Sequence, residues 1–394
     1  MQKTTLLALA LLFTACTDQA PTAPTVDAAR GTDLGSLNAD LPGITVLTWN
    51  VYAGAEVERV LQAQTPDQAV AIATDEWANV QATNFPARAG RIARNIAAAR
   101  ADVVALEEVA LYRTTDRPFD ELATHVAYDY LELVIDSLRA RKLEYTAAAV
   151  DRTTDIQVPV ITGFDAFGAP VLGGVRYTDG DAVLVRRGIH YSDARSGIYE
   201  ATLPVTVGGT SAVVSQGWSS VDVEPYRVVV THLAGQEVQD IQLAQARELL
   251  ALLNDGRHRP TLLMGDFNSD AYGADPTRVT PTYQMVLAAG FTDTWTAVHR
   301  HAPGLTCCEQ PDLLNALPTF DQRIDFIFAR NNTHTDAPVR SLVVGDSQAD
   351  RVLGLWPSDH AGVVATFGTE QGVLSSPHGT VGRGGPSAAL SLNF

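Results

Sequence analysis

Short apolar runs alternate along this chain with longer segments whose apolar side chains recur every three or four residues. Residues 88–100 show the longer spacing, which predicts a helix, and residues 103–106 follow as a short run typical of a buried strand. The same plan returns in residues 239–254 and 261–264, with a proline between the two. The alternation predicts a mixed α/β domain.

Other apolar runs predict further strands, at residues 44–49, 181–186, 212–216, 226–231, 323–327 and 363–364. Two connections, residues 52–86 and 112–167, are too long for simple loops in a compact domain. We interpret both as insertions that are partly helical, with one helix at residues 131–138. Such insertions commonly shape access to a substrate site.

Polar side chains that can bind metals or move protons accompany these runs. They are Asn50, Glu107, Glu108, His232, Asp266, Asn268, Asp325, Asp359 and His360. Taken singly, most have a plain structural interpretation, because strands exit into solvent and polar residues are common there. Their recurrence in six segments is hard to explain by chance and favours a shared functional role.

Residues 261–268 are the most informative of these segments. An apolar run ends at Gly265 and is followed by Asp266 and Asn268. In an extended backbone, side chains two positions apart point to the same face. We therefore expect Asp266 and Asn268 to converge on one water molecule or one phosphate group, an arrangement suited to hydrolysis.

The charge of the chain narrows the choice of partner. The 394 residues carry a formal net charge of −17 and a pI near 4.8. This balance argues against a tight non-specific grip on nucleic acid, which depends on Lys and Arg neutralising phosphates, although a local basic cleft could coexist with it. Arg88, Arg91 and Arg94 form one basic cluster, and their helical spacing favours a solvated helix face.

The N-terminus resembles a bacterial lipoprotein signal. Lys3 precedes an apolar stretch at residues 4–14, which is too short to span a bilayer, and residues 12–16 resemble a lipobox ending at Cys16. We predict a signal peptide at 1–16 with lipidation at Cys16, a flexible tether at 17–43, a catalytic domain at 44–368 and a disordered tail at 369–394. An ordinary secretory signal is the alternative.

Two further cysteines, Cys307 and Cys308, are adjacent and cannot build a disulfide framework. They either form a vicinal disulfide that stiffens a loop or stay as two thiols. No Cys-x-x-Cys spacing is present.

Six short motifs occur in an order that resembles the endonuclease/exonuclease/phosphatase superfamily, the metal-dependent phosphoesterases related to pancreatic deoxyribonuclease and bacterial sphingomyelinases. They are Thr48-Trp49-Asn50-Val51, Leu106-Glu107-Glu108-Val109, Thr231-His232-Leu233, Gly265-Asp266-Phe267-Asn268, Arg323-Ile324-Asp325-Phe326 and Ser358-Asp359-His360. The resemblance covers residues 44–368. It implies an α/β (α+β) fold, a four-layered sandwich of two mixed β-sheets packed face to face and flanked by helices.

The resemblance also implies roles for the polar residues. Glu108, Asn50 and Asp359 would hold the metal, although this chain has Glu107 where the family usually has Gln. Asp266 would activate or orient water, Asn268 would hold the phosphate or Asp266, and His232 would contact the phosphate. Asp325 and His360 would pair against the scissile phosphate. Asp181 would lie near the leaving group, a weaker assignment. Oxygen-rich ligand sets favour Mg²⁺ or Mn²⁺ and also accept Ca²⁺.

We therefore expect a metal-dependent phosphodiesterase in the bacterial cell envelope, lipid-anchored and facing the periplasm or exterior. Its substrate would be nucleic acid or a phospholipid head group. The membrane would be reached only through the lipid anchor, and no protein partner is predicted. The alternative is a non-catalytic binding protein that retains the fold.

Overall fold

The computed structural model describes residues 43–207, 210–254, 259–273, 279–330 and 338–368. The predicted signal peptide, Cys16, nearly all of the predicted tether and the predicted tail at 369–394 lie outside the described residues. Within the described ranges, no helix combines the length and the apolar character that crossing a membrane requires.

Two six-stranded sheets form the centre of the domain. The first contains β1 (Gly43–Asn50), β2 (Val103–Glu107), β5 (Tyr145–Val150), β8 (Ala182–Arg186), β17 (Arg340–Val344) and β18 (Gly362–Gly368), in the order β17-β18-β1-β2-β8-β5. The second contains β9 (Ser192–Ile198), β12 (Gly217–Val223), β13 (Tyr226–His232), β14 (Thr261–Asp266), β15 (Thr292–Asp293) and β16 (Asp325–Arg330), in the order β15-β16-β14-β13-β12-β9. Both are mixed, because β1 and β2 are parallel, as are β13 and β14, whereas the other neighbours are antiparallel.

Apolar side chains fill the space between the two sheets. Val46 and Val103 of the first sheet and Val228 and Leu262 of the second share one buried cluster. Alternate positions, such as Leu47, face outward into a separate cluster. Burial on both faces explains why the strands read as continuous apolar runs.

Helices cover the outer face of each sheet. On the first sheet lie α3 (Phe85–Ala99) and α4 (Tyr130–Ala140), and on the second lie α5 (Gln239–Leu253) and α6 (Thr282–Ala288). The short helix α7 (Thr294–Val298) contacts β16 and β17. The predicted four-layered sandwich of mixed sheets flanked by helices is confirmed.

The two insertions differ from each other. Residues 52–86 are partly helical as predicted, with α1 (Val57–Leu61) and α2 (Pro66–Ala82). In the second insertion, α4 confirms the predicted helix at residues 131–138, and the rest of the insertion is mainly strands that were not predicted, including β5 of the first sheet. The strands β3 (Leu111–Thr115), β4 (His125–Asp129), β6 (Asp155–Phe164) and β7 (Pro170–Thr178) form a four-stranded sheet in the order β4-β3-β7-β6. The predicted strand at 212–216 lies mostly in a two-stranded sheet of β10 (Leu203–Val207) and β11 (Thr210–Val214).

The parallel pairs bring polar residues to one end of the sandwich. Asn50 lies opposite Glu107 in the first sheet. Asp266 of the second sheet lies opposite His232 on one side and Asp325 on the other. The carboxyl ends of β1, β2, β13 and β14 therefore carry the predicted site residues, and strand register fixes their spacing.

Gly265 allows β13 and β14 to approach closely next to this edge. Its φ of +132° is one that side-chain-bearing residues rarely adopt, and a Cβ atom there would lie 1.9 Å from the carbonyl oxygen of Thr231. The glycine before Asp266 is therefore a packing requirement.

Arg88 is fully buried, which corrects the expectation that Arg88, Arg91 and Arg94 form a solvated helix face. Its guanidinium donates hydrogen bonds to the carbonyl oxygens of Val51 (2.7 Å), Tyr52 (3.0 Å), Thr83 (2.8 Å) and Pro357 (3.0 Å). Of the three arginines, Arg91 is half-buried and Arg94 is exposed. Arg88 thus joins the loop after β1 to the loop that carries Asp359 and His360.

We predict that Arg88→Met lowers the free energy of unfolding by more than about 3 kcal/mol, because it leaves several buried carbonyl groups without a donor, at about 1–3 kcal/mol each. Arg94→Met is the matched control on the same helix, and we expect a change within about 0.5 kcal/mol. Urea denaturation followed by circular dichroism measures both. Equal stabilities of the two variants would contradict the structural role of Arg88.

Candidate active site

Glu108 and Asn50 meet at the end of the first sheet. Glu108 has a φ of +57°, which turns it out of the strand direction immediately after β2. Its carboxylate accepts hydrogen bonds from Asn50 Nδ2 (2.8 Å) and from the backbone N–H of Ala53 (2.7 Å). Asn50 Oδ1 accepts from the backbone N–H of Tyr52 at 3.0 Å, so the amide nitrogen faces the carboxylates. In this arrangement Asn50 holds carboxylates in place, and metal ligation by Asn50 stays a prediction.

Glu107 points in the opposite direction from Glu108. It is fully buried, and its Oε1 accepts a hydrogen bond from Thr48 Oγ1 at 2.7 Å. Burial raises the pKa of Glu107 to about 8. The neutral acid is therefore favoured, and of the two neighbouring glutamates Glu108 is the one exposed to the cleft.

Asp266 links the two sheets. Its Oδ2 accepts a hydrogen bond from Asn50 Nδ2 at 3.1 Å, and its Oδ1 accepts from the backbone N–H of Asn268 at 2.9 Å. Asn268 lies beyond the end of β14 and has a φ of +49°, so a turn brings it beside Asp266. From the sequence, we expected the alternation of side chains along a strand to do so. Asn268 Nδ2 lies 3.1 Å from His232 Nε2. The predicted trio of Asp266, Asn268 and His232 is brought together.

Asp325 and His360 form a buried pair. His360 Nδ1 lies 2.9 Å from Asp325 Oδ2, which leaves Nε2 to face Asp266 Oδ2 at 3.8 Å. Burial opposes charging of the imidazole, but the carboxylates of Asp325, Asp359 and Asp266 outweigh it and raise the pKa of His360 well above its usual value. The pair therefore presents a positively charged imidazole to the cleft.

The loop before β18 is fixed by short contacts to β1. Ser358 Oγ donates to the carbonyl oxygen of Asn50 at 2.7 Å and accepts from the backbone N–H of His360 at 3.2 Å. Trp49 Nε1 donates to the carbonyl oxygen of His360 at 2.9 Å. Asp359 Oδ1 lies 4.0 Å from His360 Nε2. Partial burial, opposed by His360 and reinforced by Glu108, raises the pKa of Asp359 to about 7.

Arg323 has a partner that the sequence pattern did not indicate. It forms a buried ion pair with Asp293 at 2.7 Å, and its guanidinium lies 5.0 Å from the centre of the Phe326 ring. A charge pair between Arg323 and Asp325 would have been the ordinary interpretation of this segment. The actual pairing leaves Asp325 to His360.

A second acidic group extends the site beyond the predicted residues. Asp181 is buried, and its backbone N–H donates to Asp151 Oδ1 at 2.8 Å. Asp179, two positions earlier, lines the cleft instead. Burial and the charge of Glu108 raise the pKa of Asp179 to about 6. The spacing of Asp179 and Asp181 around Gly180 was the available signal for Asp179.

One open cleft of about 500 Å³ is lined by seven of the site residues, Glu108, Asp179, His232, Asp266, Asn268, Asp359 and His360, whereas Asn50, Asp181 and Asp325 are buried and do not line it. Glu108, Asp266, Asp359, His232 and His360 form its floor. Its rim carries Glu56, Glu58, Glu237 and Arg59, and the arginine is already paired with Glu76. The cleft is thus an acidic pocket with imidazoles at its base.

The donor set fits a divalent cation. Glu108, Asp266 and Asp359 offer carboxylate oxygens to the cleft, and the Asn50 amide joins Asp266 to Glu108. The raised pKa values of Asp179 and Asp359 follow in part from unbalanced negative charge around Glu108. Carboxylate oxygens with that charge are the surroundings Mg²⁺ or Mn²⁺ requires.

Several solved structures resemble this fold. An endonuclease/exonuclease/phosphatase family protein from Leptotrichia buccalis has 18% identity and a TM-score of 0.47, covering 82% of this chain and 98% of its own. A humanized D. rerio TDP2 has 16% identity and a TM-score of 0.46, with 83% and 99% covered. An endonuclease/exonuclease/phosphatase from Beutenbergia cavernae has 20% identity and a TM-score of 0.44, with 83% and 72% covered. These values are too low for the activities of those proteins to be carried over.

No curated protein sequence matches the chain significantly. The model of the Endonuclease/Exonuclease/phosphatase family matches residues 47–360, from β1 to His360. That span includes all six motifs and most of the chain. The chain therefore belongs to the endonuclease/exonuclease/phosphatase family, whose members hydrolyse phosphate esters.

Proposed function

We propose that this protein is a metal-dependent phosphodiesterase that uses Asp266 to activate water and His360 to stabilise charge on the phosphate. The observation that carries the proposal is the gap of 3.8 Å between Asp266 Oδ2 and His360 Nε2. A carboxylate that accepts protons there faces an imidazole that donates them. Both side chains are buried, so neither can turn away without losing hydrogen bonds.

Each of the remaining residues has a defined task in this proposal. Asp325 accepts a hydrogen bond from Nδ1 of His360, orients the ring and favours the imidazolium, which carries a proton on each nitrogen. Asn268 and His232 lie together at the cleft and contact the phosphate. Glu108 holds the divalent cation, assisted by Asp359 and Asp266. When bound, the cation offsets negative charge on the phosphate oxygens and lowers the pKa of coordinated water.

The rim of the cleft favours a small phosphodiester with a cationic or neutral group, such as a phospholipid head group. Glu56, Glu58 and Glu237 would repel the neighbouring phosphates of a nucleic acid, and Arg59 is engaged with Glu76. The acidic net charge of −17 acts in the same direction. A nuclease is the second candidate, since the site itself acts only on the phosphate.

We also propose that the protein is tethered outside the cytoplasm by a lipid on Cys16. The N-terminal motif supports this, together with the preference of the cleft for head groups found at a membrane surface. Expression in a bacterial host fed labelled palmitate tests it: label should enter the full chain and be absent from Cys16→Ala. Equal labelling of both would contradict lipidation at Cys16.

We predict that Asp266→Asn lowers kcat at least about 100-fold, because general base catalysis typically contributes about 10²–10⁴-fold. Asp136→Asn, an exposed carboxylate on α4, is the control and should retain full activity. The assay compares a chromogenic phosphocholine diester with supercoiled plasmid, using the full chain with Cys16→Ala, Mn²⁺ and an EDTA control.

Turnover of the phosphocholine diester that is lost in EDTA and in Asp266→Asn supports the proposal. Plasmid nicking that is lost in EDTA and in Asp266→Asn would instead support a nuclease. Turnover that persists in Asp266→Asn would contradict the role of Asp266. Metal binding by a folded protein without turnover of either substrate would favour the non-catalytic binding protein.

We predict that Glu108→Ala lowers the affinity for Mn²⁺ more than Asp266→Asn does, since Glu108 is a direct ligand and Asp266 acts mainly on water. Isothermal titration calorimetry of the two variants measures the difference. Equal affinities would contradict this division of roles.

A further inference from the structure

Cys307 and Cys308 lie beside the catalytic imidazole, on a segment fixed to both loops that carry it and its partner. Cys307 pairs with Gln322 through two backbone hydrogen bonds of 3.1 and 2.9 Å. On the other side, the backbone N–H of Ala361 donates to the carbonyl oxygen of Thr306 at 2.7 Å. The segment therefore lies between the start of β16, with Asp325, and the loop with His360.

The two sulfur atoms face the same cleft as the oxygen ligands. The ligand atoms of Cys307, Cys308 and His360 lie within 4.8 Å of one another, and all three residues line the cleft. Cys307 is buried and Cys308 is half-buried. In this structure the two cysteines are joined as a disulfide, so neither sulfur can act as a thiolate ligand.

Two sulfurs and an imidazole nitrogen differ chemically from the neighbouring oxygen set. Thiolates select thiophilic cations such as Zn²⁺ and Cd²⁺, whereas carboxylates select Mg²⁺ and Mn²⁺. Zn²⁺ accepts three protein ligands and keeps a fourth position for solvent. Because Asp325 occupies Nδ1 of His360, Nε2 is the ring nitrogen left for a metal.

We propose that Cys307, Cys308 and His360 form a second metal site, specific for thiophilic divalent cations, which exists only when the Cys307–Cys308 disulfide is reduced. A dithiol reductant breaks this S–S bond, transfers two electrons and two protons to the cysteines, and forms a disulfide of its own. The cation then forms two metal–sulfur bonds and one bond to Nε2 of His360, and the two thiol protons and the Nε2 proton of the imidazolium are released to solvent.

Occupation of this site blocks the proposed catalysis. A cation bound to Nε2 prevents the imidazole from contacting the phosphate, so Zn²⁺ inhibits the reduced enzyme. The disulfide form lacks this site, so Zn²⁺ does not inhibit it in this way. The inhibition rests on the proposed phosphodiesterase function, whereas metal binding does not. The two can therefore fail separately.

The test uses the full chain with Cys16→Ala, which leaves Cys307 and Cys308 as its only cysteines. Protein reduced by a phosphine and kept under nitrogen is titrated with Cd²⁺, and the ultraviolet cadmium–thiolate band is recorded. We expect the band to saturate at one equivalent in the reduced protein and to be absent from the oxidised protein. Cys307→Ser/Cys308→Ser should also lack it.

The third ligand is tested by His360→Gln, which should weaken Cd²⁺ binding more than about tenfold, given that loss of even an outer-shell partner costs about 10–100-fold. Circular dichroism checks that every variant is folded. A reduced, folded protein without the band would overturn the site, and unchanged affinity in His360→Gln would remove His360 from it. Zn²⁺ inhibition is measured separately with Mn²⁺ present, relative to the rate of each form without Zn²⁺. Equal inhibition of the oxidised and reduced enzyme would overturn the redox dependence.

Discussion

Carboxylates gathered at one end of the sandwich repel one another, and the surrounding structure must offset this Coulomb repulsion for the site to form. Glu108, Asp266, Asp325 and Asp359 converge at the cleft, and of these Asp266 and Asp325 are buried, where solvent screens charge least. The chain offsets part of this charge with the Asn50 amide, the backbone N–H groups of Ala53 and Asn268, and the His360 imidazole. The remaining negative charge is what a divalent cation would balance, so the features that cost stability are those that suit the site to a metal.

Such an arrangement needs a rigid support, and the fold supplies it at two levels. Strand register sets Asn50 against Glu107 and Asp266 against His232 and Asp325. Hydrogen bonds from Arg88, Ser358 and Trp49 then fix the loop before β18, whose position is not set by strand pairing. The protein's own hydrogen bonds thus hold the polar side chains of these loops in the site, and no bound substrate is needed to position them.

The sequence predicts the inner strands of the two central sheets because most of them are buried on both faces, whereas β12 and the edge strands β5, β9, β15 and β17 were not predicted. The apolar runs of β1, β2, β13 and β14 can be recognised from the local sequence alone, without knowing which strands pair with them. The polar residues that follow these runs are the ones that the structure brings together. The sequence did not reveal the four-stranded sheet of β3, β4, β6 and β7, because these strands are largely exposed or half-buried and mostly lack continuous apolar runs. Arg88 was misread because helical spacing does not distinguish a buried guanidinium bonded to carbonyl groups from a solvated one. Asn268 was placed correctly for the wrong reason, as a left-handed turn brings it to Asp266.

In the proposed site, the carboxylates at this edge hold a divalent cation through Glu108. Anomalous X-ray scattering from crystals of the full chain with Cys16→Ala, grown with Mn²⁺, tests this directly. We expect a manganese peak bonded to a Glu108 oxygen and adjacent to Asp266 and Asp359. Full-occupancy Mn²⁺ elsewhere, with Glu108 still bonded only to Asn50 and Ala53, would contradict it.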